Sequence, residues 1–415
     1  MNPGIYSLGI GDRFGYEGEA QMRAILDASR MGVDITPVWN KSNREHLITG
    51  TKPEDVRYEA DNAVLASRFS RPYFVDADHI GSATVGNYLT SCDWFTIDVA
   101  DSIGKHCDRL LREKFIGMSA PFTGELKIEG LPGPLRIDSA YLGKVADLYL
   151  PAIKKAAEIY GKIESVKGRN NFITEVSMDE VAQPQGPVDL FFILFMLSAE
   201  GVPVQAIAPK FHGSFHKGVD YIGDCSKFAE EFEADMLVIE RAVKEFDLPG
   251  GLKISVHSGS DKFSIYPVIG DITRRHGKGI HIKTAGTTWL EEVTGLALAG
   301  GRSSAFVKEL CISALDRREE LCKPYTGVIG IDVSMLPGRR TIEGWTGEEL
   351  ASAIRHVPGK AEFNPAFRQL IHLAYKIAAE KKDEFGQLIL QNKPLVSECV
   401  YENLYHRHIR RIFNI

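Results

Sequence analysis

Three histidines and a glutamate each fall at or near the end of a short apolar run: His79 in "YFVDADH", Glu175 in "NFITEVS", His257 in "LKISVHS" and His281 in "GIHIK". Imidazole and carboxylate donors suit a divalent metal ion such as Zn, Ni, Mn, Co or Fe. A lone histidine in such a place is more often a hydrogen-bonded structural residue. Four donors at equivalent places favour a shared centre, so His79, Glu175, His257 and His281 are the expected ligands. Asp76 and Asp78 precede His79, and Lys283 follows His281. A strand has a period of two, so Asp76 shares a face with Asp78, Ser255 with His257, and His281 with Lys283. Two carboxylates at the end of a buried strand cost energy unless something pairs with them. Lys210, Lys217, Lys262 and Lys283 lie in or just after the runs. Ammonium groups among carboxylates suit an anionic, hydroxylated ligand such as a sugar acid.

What must position these residues is a set of eight strands. The runs are residues 5–13, 33–42, 73–79, 94–102, 171–180, 202–213, 252–262 and 279–288, and helical stretches separate several of them. "EDVRYEADNAVLASRF" is one such stretch. "FAEEFEADMLVIERAVKEF" is another, with Phe228, Phe232, Met236, Ile239 and Val243 at helical spacing. Strands alternating with helices predict a parallel sheet, and eight units predict a (β/α)8 TIM-type barrel. In that fold the strand ends open into the active site. The barrel is expected over residues 1–290. An insertion after the fourth strand, at about 105–165, contains "GELKIEGLPGPLRI", read as a small hairpin. Residues 291–415 are read as a helical C-terminal extension packed on the barrel. His106, His276, His356, His372, His406 and His408 fall in helical or turn stretches and are expected on the surface.

The 415 residues carry 49 basic and 55 acidic side chains, a net charge of −6. That balance argues against nucleic acid as the main partner. Six scattered cysteines with no CxxC suit a reducing cytoplasm. The apolar run "LFFILFML" is far shorter than a membrane span and reads as the buried face of a helix. "SVHSGSDKFSIYP" lacks the GxSxG elbow of a serine nucleophile. "GIGDRFG" is not GxGxxG, and no GxxxxGK[ST] occurs, so no NAD site is expected.

"FVDADHIG", "APKFHGSFHKGVDYIGD", "KISVHSGSDKFSIYPVIG", "HIKTAGTTWLEEV", "FNPAFRQLIHLAYKIAAE" and "ENLYHRHI" together resemble the tagaturonate epimerase family, from about residue 5 to the end. The resemblance implies a divalent metal, no nicotinamide, a ketouronate substrate and a cytoplasmic setting in hexuronate catabolism. The sequence is compatible with assembly into an oligomer. One segment departs from the family pattern: His212, Ser214 and His216 stand where the family carries Thr, Arg and Asn, which bears on carboxylate recognition. The two ketouronates differ at C4, a carbon β to the ketone whose proton is not acidic. Retro-aldol cleavage of C3–C4 is therefore the expected route. The expected general base is Asp78, with Asp76 second, and Lys210, Asp261 and Lys283 are expected to orient the substrate. A metal-dependent aldolase, or a ketose epimerase or isomerase acting on a related sugar, is the alternative. A sugar-acid binding protein would not need a base beside a metal.

Overall fold

The computed structural model describes residues 1–179, 181 and 183–415. Eight parallel strands close into a barrel: β1 (Tyr6–Ile10), β2 (Ile35–Ser42), β3 (Phe74–Ile80), β4 (Trp94–Asp98), β7 (Ile173–Ser177), β8 (Ala206–Ala208), β9 (Lys253–Val256) and β10 (Ile280–Lys283). Each falls on one of the eight runs expected from the sequence, with β3 reaching one residue past its run. The remaining strands, β5 (Gly124–Leu126) and β6 (Leu135–Ile137), pair antiparallel as the expected hairpin.

The period of two sorts each barrel strand into an inner and an outer face. Val38, Phe74, Trp94, Ile173 and Ala206 form a separate apolar cluster within the barrel. Two residues further along, Asn40, Asp76, Thr96 and Glu175 occupy the same face, and Asp78 and Asp98 follow. The interior thus changes from apolar at its base to charged at the strand ends. Gly9 makes room on β1, because a Cβ there would come 2.9 Å from Lys283 Cα.

The crossover helices carry their own start signals. Asp224 caps the helix Cys225–Phe246 by accepting from the N–H groups of Ser226 and Lys227. Pro53 opens the helix Pro53–Ser67 at a position that needs no N–H donor. The helix Pro187–Ala199 packs against Ser139–Lys167 on one side and Cys225–Phe246 on the other, which explains why "LFFILFML" is apolar on most of its circumference. Among the described residues, no helix is long and apolar enough to cross a membrane.

From Thr288 onward the elements are helical. They enclose a second apolar core around Trp289, Phe306, Phe367, Tyr375 and Phe385. These helices bury charge where they meet the barrel. Arg368, wholly buried, donates to Asp261 Oδ2 at 2.7 Å and to the carbonyls of Gly218 and Ile354. His356 and His408 join this cluster at Asp261, and His372 meets Arg13. The expected surface placement of His356, His372 and His408 is corrected: all three are buried. The helical period marks them as polar, but it cannot show that the polar side of one element faces a buried partner.

Candidate active site

Burial alone would raise the Asp78 carboxyl, yet Lys283 and His79 overcome it and hold Asp78 below the usual carboxylate range. Lys283 Nζ lies 2.6 Å from Asp78 Oδ1, 2.8 Å from Asp76 Oδ2, 2.7 Å from Thr96 Oγ1 and 3.7 Å from Glu175 Oε1. Burial would lower its ammonium, and these carboxylates raise it instead. Asp76 lies behind this pair, and burial pushes it up to about 7 against the pull of Lys283. Asp78 and Lys283 line a cavity of about 650 Å³ at the strand ends, whereas Asp76 does not reach it.

His79, Asp179 and His257 face the same cavity. Each offers one donor atom, and the three donors lie within 4.8 Å of one another. Two features aim them. His79 takes a left-handed backbone, φ 52°, where the β3–β4 register shifts. Such a bulge redirects a side chain at a strand end, and here it brings His79 Nδ1 to 3.0 Å from Asp98 Oδ2. Glu175 accepts from Trp94 Nε1 at 2.8 Å and meets His257 Nε2 at 2.5 Å, which leaves His257 Nδ1 toward Asp179 at 3.1 Å. Burial would lower both imidazoles, but the carboxylates prevail. His79 is raised to about 10, chiefly by Asp78, and His257 is raised by Asp179. A pocket that draws positive charge onto two imidazoles beside a carboxylate fits a divalent cation by its donor chemistry.

The sequence-expected residues separate into groups. His79 and His257 converge, joined by Asp179, and Glu175 supports His257 from behind. His281 lies one inner position deeper than Lys283, about 6–7 Å back along the strand. Its Nδ1 meets Ser7 Oγ at 3.0 Å, its ring packs 4.7 Å from Trp94, and burial lowers it to about 3. Lys210 lines an adjoining cavity of about 450 Å³ that shares Asp179 and His257 with the first. Ser214 and His216 line that cavity too, whereas His212 is exposed. Asp261 does not face the cavity, since it is wholly buried against Arg368. Lys262 is also buried and donates to the carbonyls of His216 and Val219.

Asp179 and Thr96 were not singled out in the sequence. Asp179 falls four residues after Glu175 and keeps the strand's period of two beyond its end, which was the available signal. Nothing in the sequence separates Thr96 from other strand threonines.

The tagaturonate epimerase family matches residues 2–414. The chain is similar to the tagaturonate/fructuronate epimerase of Thermotoga maritima, 30% identical over 418 residues, covering 97% of this chain and 80% of that protein. It is also similar to the glycerol-complexed crystal structure of fructuronate-tagaturonate epimerase from Cohnella laeviribosi. That match has a TM-score of 0.83 at 24% identity, covering 100% of this chain and 82% of the other. The native crystal structure of the same enzyme gives a TM-score of 0.82 at 23% identity with the same coverage. At those identities the structural likeness establishes the fold, while the match over residues 2–414 and the Thermotoga relative establish kinship: this chain belongs to the tagaturonate epimerase family.

Proposed function

We propose that the protein interconverts D-tagaturonate and D-fructuronate by breaking and re-forming the C3–C4 bond, with His79, Asp179 and His257 holding a divalent cation. The observation that carries this reading is the placement of an ionised Asp78, paired to Lys283, on the wall of the cavity that also holds the three donors. The name of the Thermotoga relative supports the substrate pair.

A divalent cation at this site would supply Lewis acidity toward a substrate oxygen. Asp78 accepts the proton of the C4 hydroxyl. The O–H electrons form the C4 carbonyl, the C3–C4 bond breaks, and its electron pair moves into the C2–C3 unit and onto the C2 oxygen. Lys283, whose three N–H groups are taken by Asp76, Asp78 and Thr96, holds Asp78 in its ionised form and in place at the cavity wall. The C4 aldehyde turns its other face, C3–C4 re-forms, and Asp78 returns the proton to the C4 oxygen. Asp76 keeps Lys283 in place from behind. Glu175 fixes the ring orientation of His257, as a carboxylate behind a ligating histidine does.

The test is to load the protein with divalent metal, add pure tagaturonate, and follow the sugar acids by NMR. Fructuronate should appear and approach equilibrium with tagaturonate. Accumulation of a free three-carbon aldehyde acid instead would make the protein an aldolase.

A further inference from the structure

A ketouronate carries its carboxylate at C6, so a pocket that binds it needs a cation that protein carboxylates have not already claimed. Five lysine or arginine side chains line the 650 Å³ cavity: Arg13, Lys41, Arg44, Lys217 and Lys283. Arg13 is committed to Glu45 and to the carbonyl of His372. Lys41 Nζ donates to the Arg13 carbonyl. Lys283 is held by Asp76 and Asp78. Arg44 is exposed at the rim and donates to the Pro324 carbonyl at 3.1 Å. The Lys217 ammonium makes no hydrogen bond or ion pair among the described residues.

The backbone beneath Lys217 is built to stay still. Buried Lys262 donates to the carbonyls on either side, 2.9 Å from His216 O and 2.6 Å from Val219 O. Buried Arg368 donates to Gly218 O at 2.7 Å, and the Lys217 N–H donates to Val328 O at 2.9 Å. Gly218 completes the turn at φ +74°, which side chains rarely adopt. Four hydrogen bonds thus pin residues 216–219, two buried cations supplying three of them, and the Lys217 side chain, without a partner among the described residues, faces the cavity that holds Asp78 and the three donors.

We propose that Lys217 binds the C6 carboxylate of the ketouronate and sets the preference for an acid over a neutral ketose. This rests on the epimerase reading above. The same contact anchors the carboxylate-bearing fragment while its C4 aldehyde turns, because that fragment has no covalent link to the other half at that moment. Lys262 and Arg368 are positioning residues for Lys217.

The experiment compares wild type, Lys217→Met and Lys217→Arg on tagaturonate and on the neutral ketose tagatose. A charge-assisted hydrogen bond contributes roughly 10- to 100-fold in binding. Lys217→Met should raise KM for tagaturonate by about that factor, leave activity on tagatose unchanged, and release the three-carbon aldehyde acid during turnover. Lys217→Arg, which keeps the charge, should recover most of the loss. Wild-type turnover with an unchanged KM in Lys217→Met would overturn the lysine assignment alone. An equal loss on both substrates would overturn it too, because that marks a general structural effect. No turnover of tagaturonate by the wild type would overturn the epimerase reading, and the lysine assignment with it.

Discussion

Lys283 and Asp78 meet at 2.6 Å across the barrel mouth, from β10 and β3, two strands that share no hydrogen bonds with each other. The contact is possible only because the barrel closes. It joins the expected base to a cation supplied from the far side.

Removing that cation should be severe. In Lys283→Met, the carboxylates of Asp76, Asp78 and Glu175 lose their shared partner in a buried site. Stranding buried charge in this way costs about 3–5 kcal/mol. Urea unfolding should show a loss of that order, and turnover should vanish. A stable and active Lys283→Met would remove Lys283 from the mechanism.

Metal content tests the donor set directly. Wild type should retain about one divalent ion per chain after dialysis, and a strong chelator should remove both metal and activity. Asp179→Asn and His257→Ala should hold little metal while keeping the circular dichroism of the wild type. Elemental analysis decides the matter, and unaltered metal in both variants would disprove the assignment.

Much of this architecture was legible beforehand. All eight strands showed as β-branched runs ending in polar residues, and the period of two put Asp76 on one face with Asp78, and His281 on one face with Lys283. That period gives the face of a residue but not its depth. His281 and Lys283 share a face, yet only Lys283 reaches the cavity. The same blindness hid the burial of His356, His372 and His408, and it made Lys262 and Asp261 look like substrate contacts. The three histidines and Asp261 depend on how the C-terminal helices seat against the barrel, and Lys262 on the turn at 216–219; a local pattern carries no record of a contact more than 40 residues away. Asp179 was missed because it lies past the strand proper, where the alternation is easily taken to end.

Arg368 should prove essential to that seating. It is wholly buried and bonded to Asp261 and to two backbone carbonyls. Arg368→Met strands Asp261, which Arg368 otherwise holds well below the usual carboxylate range against the effect of burial. A destabilisation of about 3–5 kcal/mol is expected from the loss of one partner of a buried pair. A urea midpoint equal to that of the wild type would contradict it.

Lys253 gives stability a dependence on pH that is remote from the site. Its ammonium donates to the carbonyls of Gly4 and Ile5 at the base of the barrel, and burial lowers it to about 7 from its ordinary 10.5. Below about pH 7 both folded and unfolded chains hold the proton, so the cost of burying the charge is fully present. Between about 7 and 10.5 the folded chain releases it while the unfolded chain keeps it, and stability rises with pH. This one group contributes at most about 1.4 kcal/mol per pH unit. Relative to Lys253→Met, wild type should gain stability from pH 7 to 10. A difference that stays flat over that window would refute the assignment.

The central claim is that C4 inverts by cleavage of a carbon–carbon bond while its own hydrogen stays in place. The most direct measurement is to convert tagaturonate in D2O with the metal-loaded protein and to read C4 of the fructuronate by NMR. The account predicts fructuronate that retains protium at C4. Deuterium at C4, or no fructuronate at all, would contradict it.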